Sequence, residues 1–286
     1  MRRLLLPLLA VTVLAAGCSD AGSSGGKPQV AVAAYPFAWL VQQVGGDAVR
    51  LVDVAGSGVE PHDVELGPRE VARLQSADLV VGLKGFQPAL DDAVEDRRKL
   101  FDLGPSVQQH AASSDLGDEE GGLDPHVWLD PVRMADAATA LGERLERLAP
   151  GSRARAATTA TALKALDARY RDALAGCERR DLVTSHTAFG YLAERYDLQQ
   201  VGVSGTSPEA EPSPGRLAEV VRYARDNGVT TVFTSPGESS VAETVAREVG
   251  ATTATLLTLE TRPQGGDYLT GMDADLTALT KGLGCA

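Results

Sequence analysis

The chain has 286 residues, enough for two lobes of ordinary domain size, with 27 basic and 39 acidic residues and a formal net charge of −12. That balance excludes a nucleic-acid partner, which would need clustered Lys and Arg, and suits a solvated surface that weakly concentrates cations. Cysteine is scarce, with only Cys18, Cys177 and Cys285.

Met1-Arg2-Arg3 forms a short basic segment, and residues 4–16 form an apolar run broken early by Pro7. The run is too short to span a bilayer comfortably, and Ala15-Ala16-Gly17 places small residues directly before Cys18, so 1–17 read as a secretory signal. The pattern resembles a bacterial lipoprotein signal, although Ala15 stands where leucine is commoner. The resemblance implies that Cys18 is lipidated and becomes the mature N-terminus. Residues 18–27 are polar and rich in Gly and Ser, the composition of a flexible tether. No later apolar run is long enough to cross a membrane. The chain is therefore expected outside the cytoplasmic membrane, anchored by lipid on Cys18. Without Arg2 and Arg3 its balance becomes 25 basic against 39 acidic residues. In an oxidising compartment Cys177 and Cys285 could form one disulfide or remain two buried thiols; pairing is the expectation.

Strand signals follow at 30–34, 49–54, 77–82 and 99–103, with helical stretches at 37–44 and 67–76. Short apolar strands between helices point to a parallel sheet buried on both faces. Residues 131–148 and 152–176 are rich in Ala, Leu, Arg and Glu with helical periodicity, and Pro150-Gly151 separates them. Strand signals resume at 181–184, 198–203, 229–234 and 253–259, with helices at 214–227, 241–249 and 272–283. The expected fold is α/β: an N-terminal lobe 28–150, a long linking helix 151–176 and a C-terminal lobe 177–286. Each lobe is built on a parallel sheet, and a metal cleft lies between them.

There are four histidines: His62, His110, His126 and His186. Three stand where strands run out into loops, the edge at which α/β sheets gather ligands. His126 lies in Asp124-Pro125-His126-Val127-Trp128-Leu129-Asp130-Pro131, stiffened by proline on both sides. His110 lies in a polar loop and is read as solvated. Three imidazoles and one carboxylate make a nitrogen/oxygen site that zinc accepts readily.

Four segments together resemble the metal-binding subunit of ABC-type zinc and manganese uptake systems, over about residues 30–283. They are Pro61-His62-Asp63, the 124–131 segment, Ser185-His186 with Phe189-Gly190-Tyr191-Leu192, and Ser207-Pro208-Glu209-Ala210-Glu211-Pro212-Ser213. The resemblance implies two α/β lobes joined by one stiff helix, Zn2+ as the transported ligand, and a partner permease in the cytoplasmic membrane. The subunit is expected to act as a monomer. Metal ligands would fall on His62, His126 and His186. The best match for the family's acidic ligand is Glu260, where aspartate is usual. Glu211 is expected to steady the site from behind, and Glu60 is the rival carboxylate. The chain departs from the family's pattern at two places, the first being Glu260 in place of aspartate and the second the stretch 113–122. Residues 113–122 are acidic and lack the His-rich loop of many zinc-specific members. Manganese-type members tend to carry a carboxylate where His186 stands; three nitrogens favour zinc, with manganese uptake the alternative. A secreted zinc hydrolase is a second class, but the chain has no His-Glu-x-x-His motif. Nothing in the residues supports an adhesin.

Overall fold

The computed structural model describes residues 26–56, 58–111, 122–208 and 211–286. The signal at 1–17, Cys18 and nearly all of the tether lie outside them, as does most of the acidic segment 113–122. Among the described residues no helix is long and apolar enough to cross a membrane.

Two four-stranded parallel sheets form the molecule. The first contains β1 (Gln29–Val32), β2 (Arg50–Asp53), β3 (Leu79–Gly82) and β4 (Leu100–Asp102), in the order β2-β1-β3-β4. The second contains β5 (Asp181–His186), β6 (Gln199–Ser204), β7 (Thr231–Thr234) and β8 (Thr252–Thr255), in the order β6-β5-β7-β8. The two lobes thus share one plan, with the first strand inside and the second at the edge. β3 and β7 are buried along their whole length, as strands covered on both faces by crossover helices must be.

Helices α1 (Tyr35–Gly45), α2 (Pro68–Ser76), α3 (Pro88–Ala93) and α4 (Gly104–Val107) belong to the first lobe. α5 (Pro131–Leu145) leads into α6 (Ser152–Leu174), and α7 (Gly190–Tyr196), α8 (Pro214–Asp226), α9 (Ser239–Val249) and α10 (Tyr268–Leu283) complete the second. Asp130 caps α5, its Oδ1 accepting from the Val132 N–H at 2.8 Å. The 23 residues of α6 span roughly 35 Å at about 1.5 Å per residue. α6 packs on α5 and α1 of one lobe and on α10 of the other. Its approach to α5 is close because Gly142 has no side chain: a Cβ there would meet the Ala156 Cβ at 2.5 Å. One apolar core runs through both lobes, joining Phe37, Trp128, Leu163 and Tyr170 to Phe233, Met272 and Leu279. A continuous core of this kind resists wide hinge bending between the lobes.

Cys177 and Cys285 are disulfide-bonded, 108 residues apart, tying the end of α6 to the end of α10. The last strand departs from expectation. β8 stops at Thr255, although the apolar run continues to Leu259. The Leu257 N–H leaves the sheet and donates to the buried Asp275 carboxylate at 2.7 Å. The Thr258 carbonyl accepts from Trp128 Nε1 at 2.7 Å, and Leu259 takes a φ of 55°. Residues 257–259 are therefore crossing chain rather than strand, and they carry Glu260 to the first lobe.

Candidate metal centre

Each histidine is placed by a different local device. His62 sits in the single helical turn Pro61–Asp63, whose first residue is proline, and the Glu60 carboxylate accepts from the His62 N–H at 3.3 Å. The buried Gln87 amide staples this turn to the first lobe, donating to the carbonyls of Ala33 at 2.9 Å and Pro61 at 3.0 Å. Phe86 stands edge-on to the His62 ring at 5.0 Å. His126 opens the turn before α5, and Asp124 Oδ1 accepts from both its backbone N–H (3.0 Å) and its Nδ1 (2.8 Å). His186 is the last residue of β5, and its Nδ1 donates to Glu238 Oε2 at 2.7 Å. The same oxygen accepts from Ser185 Oγ at 2.7 Å. Two of the three imidazoles thus have Nδ1 committed to a carboxylate, which fixes the ring and presents Nε2.

The Nε2 atoms meet on Glu260. Its Oε1 lies 3.0 Å from His62 Nε2 and 3.1 Å from His126 Nε2, which are 3.4 Å from each other. Its Oε2 accepts from Thr258 Oγ1 at 2.7 Å. These three donor atoms lie mutually within 4.8 Å. His186 stands beside this group rather than in it: its ring centroid is 5.9 Å from that of His126. Its Nε2 is buried without a hydrogen-bond partner among the described residues. His126 and His186 are fully buried, and Glu260 is 4% exposed.

Electrostatics follow from this packing. Burial alone would lower the pKa of His126, but hydrogen bonds to Asp124 and Glu260 outweigh it and raise the ring to about 9. Both ring nitrogens face carboxylate oxygens, which only accept, so without metal the ring carries two protons. Burial pushes Glu260 up, but His126 and His62 hold it well below the ordinary carboxylate range. Burial, then the Glu260 charge, pushes Glu60 up to about 7. Imidazole nitrogens plus one ionised carboxylate, buried and pre-aimed, form a donor set that suits a borderline divalent ion.

The family model of the zinc-uptake complex component A, ZnuA, matches residues 30–282. The chain belongs to the ZnuA family. Its ZnuA relatives include the high-affinity zinc uptake system protein ZnuA of Bacillus subtilis, 32% identical over 311 residues covering 98% of this chain and 97% of that protein. The zinc-binding lipoprotein AdcA of Streptococcus pneumoniae is 33% identical over 300 residues, 96% of this chain. This chain spans only 60% of AdcA's length. The Zn(II)-bound ZnuA-like domain of that AdcA superposes with a TM-score of 0.73 at 31% identity, covering 90% of this chain and 99% of the domain.

Against that ZnuA background, two expectations need correction and two residues were missed. Among the described residues Glu211 bonds to none of the histidine rings. It is exposed in the short segment before α8, where a carboxylate keeps its hydration. The carboxylates on the histidine rings are instead Asp124 and Glu238. His110 is outside the donor group, as expected, but it is not simply solvated. Its Nε2 pairs with Glu194 at 3.1 Å and its ring lies 4.3 Å from Tyr191. The Tyr191 hydroxyl accepts from the His110 N–H and donates to the Asp124 carbonyl, both at 3.0 Å, so His110 buttresses the His126 turn from behind.

Proposed function

We propose that this chain captures Zn2+ outside the cytoplasmic membrane, anchored by lipid on Cys18, and hands it as a monomer to an ABC-type permease. The observation that carries the reading is the convergence of His62 Nε2, His126 Nε2 and Glu260 Oε1 within hydrogen-bond range, beside an unpartnered His186 Nε2. His62, His126, His186 and Glu260 are the proposed ligands. The first lobe (28–150) supplies two of them and the second lobe (177–286) the other two. Three nitrogens and one oxygen favour zinc over manganese, which prefers oxygen-rich coordination. Affinity order alone would place copper above zinc, so selectivity also depends on metal supply. The carboxylate fills the fourth position that a catalytic zinc keeps for water, which supports capture rather than hydrolysis. Release then proceeds through small lobe tilts and loop ordering, since the continuous core opposes wide opening.

The test is a titration of the mature, tether-trimmed chain with Zn2+ and Mn2+ in competition. One equivalent of zinc, held far more tightly than manganese and weakened by His126→Ala and by Glu260→Gln, is the expected result. Preference for manganese, or no loss in either variant, overturns the reading.

A further inference from the structure

A cavity of about 500 Å3 opens beside the inner donors, lined by Glu60, Ser235, Glu238, Thr258, Glu260 and Arg262 among others. Glu260 forms part of its wall, so the cavity borders the inner centre. A second cavity of about 320 Å3 shares Glu60 and Glu238 and adds Ser185, Ser204 and Ser240. The two carboxylates therefore face open space on two sides. Each uses only one oxygen on the protein. Glu60 Oε1 accepts from the His62 N–H, and Glu238 Oε2 accepts from Ser185 and His186. The second oxygen of each has no protein donor among the described residues.

Ser235 is an independent sign of a ligand. It is 4% exposed, it lines the larger cavity, and its hydroxyl oxygen is buried with no hydrogen-bond partner. A buried hydroxyl left unpaired is costly, and an ion or its bound water would satisfy it. Arg262 also lines the cavity, its Nε donating to the Gly266 carbonyl at 3.2 Å; it sets one positive charge against Glu60, Glu238 and Glu260.

We propose that Glu60, Glu238 and Ser235 form an outer cation site, where a divalent ion is held with most of its water before reaching the histidines. The proposal rests on the inner-site reading above. The space suffices: at about 30 Å3 per water, a six-water shell takes roughly 180 Å3. The donor chemistry divides the work. An all-oxygen site accepts any hard or borderline divalent ion, bound largely through its water, and so concentrates cations without selecting among them. Selection follows when the ion sheds water and meets the imidazole nitrogens, two of them on the fully buried rings of His126 and His186.

The experiment uses the mature chain loaded with one equivalent of Zn2+ and titrated with Mn2+, reading free Mn2+ by electron paramagnetic resonance while retained zinc is measured in the same sample. The expected result is one further Mn2+ per chain, bound weakly. Its affinity should fall at least about threefold in Ser235→Ala and about tenfold in Glu60→Gln, which keeps an acceptor for the His62 N–H. No bound Mn2+, or equal binding in both variants with zinc retained, overturns the outer site and leaves the inner reading intact. A chain that holds no zinc overturns both.

Discussion

Zinc binding near neutral pH should expel a proton from His126. Held between Asp124 and Glu260, this ring has its pKa raised to about 9, against about 6.5 for free imidazole. At pH 7 the proton must leave against a gap of about two units. That corresponds to roughly 3 kcal/mol, or about a hundredfold in apparent zinc affinity. Affinity should therefore rise about tenfold per pH unit from 6.5 toward 9 and then level. Apo stability moves the other way. A group whose folded pKa is raised contributes stability that is fully present below its unfolded value and is lost as pH climbs through the folded one. His126 loses its contribution between about 6.5 and 9. Glu60, raised to about 7, loses its own between about 4.5 and 7. The apo chain should melt lower at pH 9 than at pH 7, while the increase in melting temperature on adding zinc grows. Calorimetric titration in buffers of differing protonation enthalpy counts the protons directly. At pH 7 about one proton per zinc is expected from this ring, whereas an unshifted imidazole would release about a quarter. Affinity flat from pH 7.5 to 9 refutes the electrostatic account of His126.

Glu238→Gln removes the charge that orients His186 and should weaken zinc binding about 10- to 100-fold, the usual cost of losing a carboxylate behind a metal-bound imidazole. Unchanged affinity with a normal melting temperature contradicts that role. Cys177→Ser with Cys285→Ser opens a loop of 108 residues and should cost up to roughly 4–5 kcal/mol on the chain-entropy view, read as a lower urea midpoint. An unmoved midpoint shows that the disulfide does not restrain the unfolded chain. Free zinc at a hundred times its dissociation constant should stabilise the fold by about 2.7 kcal/mol; a zinc-independent melting curve at neutral pH argues against a real site.

Much of this architecture was legible because period and punctuation agree with burial. The eight strands fall within a few residues of the apolar runs, and α6 begins directly after Pro150-Gly151. Where the reading slipped, tertiary contacts outweighed pattern. The run to Leu259 looks like strand, yet its backbone groups are taken by Asp275 and Trp128, partners distant in sequence. The short helix α7 was not foreseen, its seven residues being too few for a clear periodicity. The histidines were readable from their places at strand ends. The carboxylates behind them were harder. Asp124 lies two residues from His126 and could have been read from that spacing, since a side chain there can reach the ring of the next turn residue. Glu238 acts across 52 residues. Its signal was the adjacency of β5 and β7: a polar turn after Thr234 must emerge beside His186. Glu211 also follows a strand paired with β5, but it lies seven residues beyond the end of β6 and is exposed.

The most direct test of the four-ligand centre is X-ray absorption at the zinc edge on the chain carrying one equivalent of zinc. The proposed centre requires a four-coordinate ion with three imidazole nitrogens at about 2.0–2.1 Å and one carboxylate oxygen at about 2.0–2.2 Å. His186→Ala should remove one imidazole from the signal. A shell of five or six oxygens, or an imidazole count unchanged by His186→Ala, would contradict the assignment.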